Sequence, residues 1–239
     1  MKENKEIYIL GIGHNSIVYI DMLEQIGYTI KGLYHYNSER TGECYYGYQI
    51  LGSFDDLYSI GDLSGMNFAL SMGDNQVRKA VFENIMSMGG SVPTLIHPKA
   101  DVSKYAQLGV GVVIHSNAVV HPGVNIGNNT VISCNSTLIH QSKLGNHCYV
   151  AGNALIGAYA QVGNQVFIGL SAVIISDKVK SVGDNAIIGA GAVVSASVGS
   201  NVVVAGVPAR VIRTNPLAEL NQRIFDSSNG FIVNKVNIL

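Results

Sequence analysis

Apolar positions follow two regimes along this chain, and the change falls near residue 95. From Ile96 a step of six residues returns Ile, Leu or Val fourteen times in succession, through Val102, Leu108, Ile114, Val120, Ile126, Ile132, Leu138, Leu144, Val150, Ile156, Val162 and Ile168 to Ile174. Four residues after each anchor stands a small or β-branched residue, from Ala100 to Ala172, until Lys178 ends that series. A period of six is neither the 3.6 of a helix nor the two of a lone strand. It suits a parallel β-helix of triangular section, in which each hexad is one flat face with one aliphatic side chain inside. Three hexads close a coil, so residues eighteen apart stack. Hexapeptide coils of this kind wind left-handed, an exception to the usual crossover rule. After Ile174 the anchors resume at Val182, Ile188 and Val194. The two extra residues in "IISDKVKS" predict a loop protruding from a corner.

The region before residue 95 alternates strand and helix patterns. "EIYIL", "YTIKGLYHY", "NFALSMG" and "SVPTLI" read as strands. An amphipathic segment carries Ile17, Ile20, Leu23 and Ile26 on one side, and "DNQVRKAVFENIMSMGG" has a polar start, helical spacing and a glycine stop. This alternation implies a small parallel sheet with helices packed on it. The fold class expected is thus an α/β, Rossmann-like N-terminal domain followed by a left-handed parallel β-helix of hexapeptide repeats. The boundaries expected are 1–95, 96–212 and a tail at 213–239, within which 216–225 reads as a short helix.

In a parallel sheet, ligands sit beyond the carboxyl ends of strands, here "GIGHNS", "YHYNSE" and "MGDN". Gly11 and Gly13 lack the third glycine of a dinucleotide fingerprint, but their place between strand and helix favours a phosphate on helix amides. A tight strand-to-helix turn is the plain alternative.

Composition narrows the partners. The formal net charge is −1, so nucleic acid and anionic lipid find no electrostatic pull. Only 13% of residues are charged, a poverty that implies self-association. No apolar run approaches the ~20 residues of a membrane span, and the start shows no cleavable apolar segment. Three cysteines without a CxxC suit a reducing cytosol, so a cytoplasmic protein is expected, with no metal.

Taken in order, "GYQILGS", "MGDNQVRK", "TLIHPKA", "LIHQSKLG" and "AGVPAR" make the chain resemble the bacterial nucleotide-amino-sugar N-acetyltransferases and the related sialic acid O-acetyltransferases. The resemblance runs from residue 5 to about 212. It implies a homotrimer with acetyl-CoA held between neighbouring β-helices and a nucleotide-linked amino sugar, of the UDP-4-amino-sugar type, held by the N-terminal domain. The product would serve surface glycan or polysaccharide biosynthesis.

The same resemblance places His140 as general base, a role suited to an imidazole that accepts a proton near neutrality. Where the family has a carboxylate to orient that ring, this chain has Gln141, which accepts a hydrogen bond but supplies no charge. A weaker base favours an amine acceptor over a hydroxyl, hence N- over O-acetylation. Sialic acid O-acetylation and a non-catalytic trimeric binding homologue remain the alternatives. Tyr149 stands where the family often has a second histidine, and Ser133 where it often has asparagine. Tyr149 is expected at the thioester or the pantetheine arm. Ala158 stacks above His140, and Gly169, Leu170, Gly189 and Ala190 are expected to continue that line along acetyl-CoA, with Gly206, Val207, Pro208 and Ala209 at the adenine. Ordinary repeat packing explains small residues at such corners equally well. The substrate contacts expected are Gly11, Gly13, His14, Asn15, His35, Tyr36, Gly73 and Asn75, with His35 and Tyr36 replacing the family's usual acidic pair. Of the remaining histidines, His97 and His115 are expected as an exposed stacked pair on a solenoid edge, and His147 as a solvated corner residue.

Overall fold

The computed structural model describes residues 5–215. The expected helix at 216–225 lies outside the described residues. In the N-terminal region, β1 (Glu6–Leu10), β2 (Thr29–His35), β4 (Tyr48–Ser53) and β5 (Phe68–Leu70) run parallel, and β3 (Cys44–Tyr45) adds an antiparallel edge, in the order β3-β4-β2-β1-β5. Helices α1 (Ser16–Gln25) and α3 (Asn75–Ser87) fall where the periodicity put them. Asp74 starts α3 by accepting from the amides of Gln76 and Val77, satisfying donors that have no partner within the helix.

The β3–β4 hairpin and the short helix α2 (Phe54–Tyr58) have no clear apolar period. The hairpin turns through Tyr46 and Gly47, both at positive φ, which matches the twist of a two-residue turn. A reciprocal cap starts α2: Ser53 accepts from the Asp56 amide while the Asp56 carboxylate accepts from Ser53. "SVPTLI" divides between the two regions. Ser91 bridges Asn67 beside β5, whereas Leu95–Ile96 pairs with Val113–Ile114 as the opening strand of the repeat.

From Leu95 the chain winds a left-handed β-helix of two-residue strands. The first face runs from Leu95–Ile96 through Val131–Ile132 and Tyr149–Val150 to Val202–Ala205 and ends on an antiparallel strand, Arg210–Thr214. The second runs from Asp101–Val102 to Val193–Val194, and the third from Gln107–Leu108 to Ser181–Val182. The six-residue anchors fill the interior with the small residues between them. Register advances by eighteen residues, as in Val119↔Thr137↔Leu155↔Val173, and by twenty across the insertion, where Val173 pairs with Val193. Val179 turns inward from that insertion and is buried, so part of the expected protrusion is core.

The corners explain the polar sequence between anchors. The third residue after an anchor takes a left-handed backbone, as at Asn117, Asn129, Asn135, Gln141, His147 and Tyr159. Glycine after an anchor on the third face lets successive coils approach: a Cβ on Gly145 would lie 2.6 Å from the Gly163 carbonyl oxygen. Beside it an asparagine ladder climbs the edge. Asn128, Asn146 and Asn164 accept from the amides of Val110, Asn128 and Asn146 at 2.8–2.9 Å, and Asp184 accepts from Asn164 at 2.7 Å.

The two regions share a core in which Tyr19, Ile20 and Leu23 of α1 meet Leu95, Val113 and Val131 of the first face. Among the described residues, no helix is long and apolar enough to cross a membrane.

Candidate active site

His140 stands on the edge between the second and third faces, exposed to solvent. Ala158, buried, lies one coil beyond, and its amide donates to Ser176 Oγ at 2.9 Å in the coil after that. His140 is therefore reachable along its edge past the small Ala158 and Ser176. Its ring meets the Tyr159 ring edge-to-face, centroids 5.4 Å apart. Gln141 occupies the left-handed corner, φ 59°, and its amide group lies over Gly123 of the preceding coil. Among the described residues Gln141 makes no side-chain hydrogen bond.

The residues expected along one cofactor line divide between two edges. Gly169, Leu170, Gly189 and Ala190 follow strands of the first face, whereas Ala158 follows the second. Positions eighteen apart stack, but Gly169 is eleven residues beyond Ala158 and so turns the next corner. The closing loop joins the first group: Val193 donates to the Gly206 carbonyl at 3.0 Å, and Ala209 donates to Val193 at 2.8 Å. Gly206, Val207 and Pro208 are exposed there. Gly169 is also demanded by stacking alone, since a Cβ would lie 2.6 Å from the Ala190 amide nitrogen.

In the N-terminal domain a cleft of about 300 Å³ opens at the carboxyl ends of β1 and β5. Gly11, Gly13, His14, Asn15, Tyr36 and Gly73 line it together with Ser71, Met72 and Phe54. Gly11 has φ +92°, and a Cβ there would lie 3.3 Å from Met72 Cε and Ser71 Oγ, so this turn requires glycine. Ser16 closes the loop, accepting from Gly13 N and donating to Gly13 O.

His35 and Asn75 depart from the expected substrate contacts. His35 is buried in the wall behind Tyr36, its Nδ1 3.2 Å from Asn37 Oδ1, and burial pulls its pKa down against the opposing pull of Asn37. Asn75 is directed away from the cleft. Its Nδ2 donates to the carbonyls of Gln165 and Val166 at 3.3 and 3.2 Å, and its Oδ1 accepts from Arg78 at 2.8 Å, which joins α3 to the solenoid.

Arg78 is the residue that pattern reading missed. Its side chain is 1% exposed. It donates to the carbonyls of Met72 and Gly73 at the cleft rim, and to those of Asn129, His147 and Cys148 in the solenoid, at 3.0–3.4 Å. Burial lowers its pKa, with Tyr19 partly opposing. The guanidinium fork satisfies several acceptors at once, which an ammonium could not. An arginine in the first turn of an amphipathic helix reads as solvated, so only its surroundings reveal the role.

Three other expectations change. His97 and His115 are buried under α1, not exposed, with Tyr19 edge-to-face on His115 at 5.5 Å. Burial, helped by His97, pulls the His115 pKa to about 4. His147 is not solvated. Phe82 of α3 packs on its ring at 5.7 Å, Asn129 Nδ2 lies 2.9 Å from Nδ1, and burial, then Lys79 and Arg78, lower its pKa to about 4. Tyr149 also sits by this interface, under the Arg78 guanidinium and accepting from Ser133 Oγ at 3.3 Å.

Comparisons with known proteins agree with this layout. Residues 6–85 match the PglD N-terminal domain, and 123–158 match the bacterial transferase hexapeptide repeats. A comparison with curated protein sequences returned no match. Among solved structures, perosamine N-acetyltransferase from Caulobacter crescentus, in a mutant form with CoA and GDP-perosamine, is 26% identical with a TM-score of 0.79, covering 86% of this chain and 96% of that one. The acetyltransferase domain of PglB from Neisseria gonorrhoeae is also 26% identical at 0.79, covering 87% and 100%. WeeI from Acinetobacter baumannii, 19% identical at 0.74 over 86% and 99%, shares the fold. A PglD-type domain joined in this order to a hexapeptide β-helix is the layout of the sugar acetyltransferases to which this chain is similar, and it marks the chain as a hexapeptide-repeat acetyltransferase.

Proposed function

We propose that this protein transfers an acetyl group from acetyl-CoA to the amine of a nucleotide-linked amino sugar, with His140 as general base. The observation that carries the reading is the exposed His140 beside the small Ala158, on an edge that leaves room for a thioester arm. Likeness to an enzyme crystallised with CoA and GDP-perosamine supports the pair of ligands. The amine attacks the thioester carbonyl, His140 takes its proton, and as the C–S bond breaks the imidazolium returns that proton to the sulfur, so that CoA leaves as the thiol. The role of Gln141 is to settle the edge by packing on Gly123, with its amide oxygen able to accept a hydrogen bond from a ring N–H after a side-chain rotation.

The placement of the parts supports a trimer. The cleft belongs to a domain docked over the first face and the edge between the third and first faces. His140 is on the opposite edge, and the Gly169–Ala190 group lines the remaining one. Edges of neighbouring copies, facing one another, bring these groups to a common site. Acetyl-CoA lies in that seam, with Gly206 to Ala209 at its adenine end, and the nucleotide phosphates lie at the Gly11–Asn15 turn with Tyr36 against the base. The protein works in the cytoplasm on intermediates of surface glycan synthesis.

Thiol release from acetyl-CoA tests the reading, with UDP-linked and GDP-linked 4-amino sugars, sialic acid and no acceptor as arms. Acceptor-dependent release with an amino sugar is expected, falling ~100-fold or more in His140→Ala, within the range of general base catalysis. Release with sialic acid alone would assign O-acetylation. Acetyl-CoA binding without release in any arm would favour a non-catalytic homologue, the reading that the unpaired amide of Gln141 supports.

A further inference from the structure

Tyr159 is an exposed aromatic in a backbone conformation that such residues avoid. Its φ is +62° and it is 57% exposed, so among the described residues little packing offsets the left-handed backbone. Along the same edge the left-handed backbone is otherwise taken by Gly123, Gln141 and Asp177. The half-buried corner residue His147, also bulky, has a hydrogen-bond partner and a packed ring. For Tyr159 the ring contact is His140, edge-to-face at 5.4 Å and 84°, and its amide donates to the His140 carbonyl at 3.3 Å. Strained residues of this kind gather at functional sites, where the surroundings hold them in place.

We infer that Tyr159 is the positioning residue of His140: its ring fixes the plane of the imidazole, a task that Gln141, packed on Gly123, does not perform. This rests on the proposed role of His140. An aromatic ring limits the imidazole's rotation without supplying charge. A neutral neighbour therefore does part of the work of an orienting carboxylate.

Tyr159→Gly, Tyr159→Phe and Gln141→Ala are the variants to make in the full-length protein. Glycine suits the left-handed corner, so Tyr159→Gly is expected to melt at or above the parent's temperature. Its kcat is expected to fall ~10- to 100-fold, the scale of a misplaced reacting group, with KM for acetyl-CoA and acceptor within about twofold. Tyr159→Phe is expected to restore kcat, because the ring suffices, and Gln141→Ala to lower it less than Tyr159→Gly. Ring-current shifts of the His140 protons by NMR, present in the parent and Tyr159→Phe and lost in Tyr159→Gly, test the contact without turnover. Full kcat in Tyr159→Gly, a Phe variant as slow as the Gly variant, or unchanged His140 shifts would overturn the inference. Absence of acceptor-dependent release in the parent itself would sink the function reading, and the NMR comparison would still judge the contact.

Discussion

His140 and His147 are seven residues apart in one repeat, and their surroundings are opposite. His140 stands on a bare edge with one aromatic neighbour. His147, on the next edge, is covered by α3, tied to Asn129 and held with a pKa of about 4 by burial and by Lys79 and Arg78. The coil presents both outward. What separates them is the docked N-terminal domain, which turns one histidine into an interface group and leaves the other open to chemistry. Exposure on this solenoid is thus set by which edges the first domain covers.

Arg78→Met is the largest way to break that contrast. It takes the guanidinium donor from five carbonyls at the seam, of which Cys148 keeps the Val131 amide, and each buried acceptor left unsatisfied costs about 1–3 kcal/mol. A thermal melt is expected to fall by ~10 °C for a protein of this size. NMR titration of His147 should then show its pKa rising towards the ordinary 6.5, since the helix that buries it is no longer held. A melt within ~1 °C of the parent would mean that the apolar contacts of α1 alone dock the domain.

The second test uses pH. His115 is 8% exposed, and its folded pKa lies at about 4 against an ordinary 6.5. The unfolded chain therefore binds a proton at this group near pH 6.5, while the folded chain does not until about 4. Its contribution is complete above the higher value and is lost as pH falls through that window, by up to about 3 kcal/mol. His147 adds a smaller loss in the same window because its partial exposure screens it. Urea unfolding at about pH 7 and about pH 4.5 measures the sum. His115→Phe should flatten the difference.

Asn146→Ala makes the smallest change. It removes the acceptor for the Asn128 amide at 2.8 Å on an exposed rung of the ladder. About 1 kcal/mol of stability and ~2–4 °C in melting temperature are expected to go, with acetyl transfer unaffected. A loss several times larger would show that the rungs act cooperatively along that edge.

Much of the molecule was legible because the β-helix writes its geometry into the chain. The anchors from Ile96 to Ile174 named the interior positions, and the step of eighteen named which residues stack. His140 and Ala158 could be paired on one edge in that way. Gly169 and Ala190 were assigned to the same line because the corner that separates them from Ala158 is invisible until register is counted face by face. The Gly11–Asn15 turn was legible from its place between strand and helix. The β3–β4 hairpin was not, since its register comes from a turn at Tyr46 and Gly47 and from pairing with β2, with little apolar period. Arg78 and Asn75 carry polar side chains on a surface-like helix turn, and nothing local distinguishes a solvated arginine from one that holds two domains together.

The sequence by itself determined the coil, its period, the break after Ile174, the strand–helix alternation and the candidate histidine on its edge. Each of these is a local or repeating property, set by which side chains must face inward every second, fourth or sixth residue. Only the tertiary structure decided which edges are covered, that His115 is buried and His147 half-buried while His140 is bare, that Gln141 lies on Gly123, and that Tyr159 meets the imidazole. Those outcomes depend on contacts between residues far apart in the chain, where the desolvation of a polar group is settled by its new neighbours and by no pattern of its own.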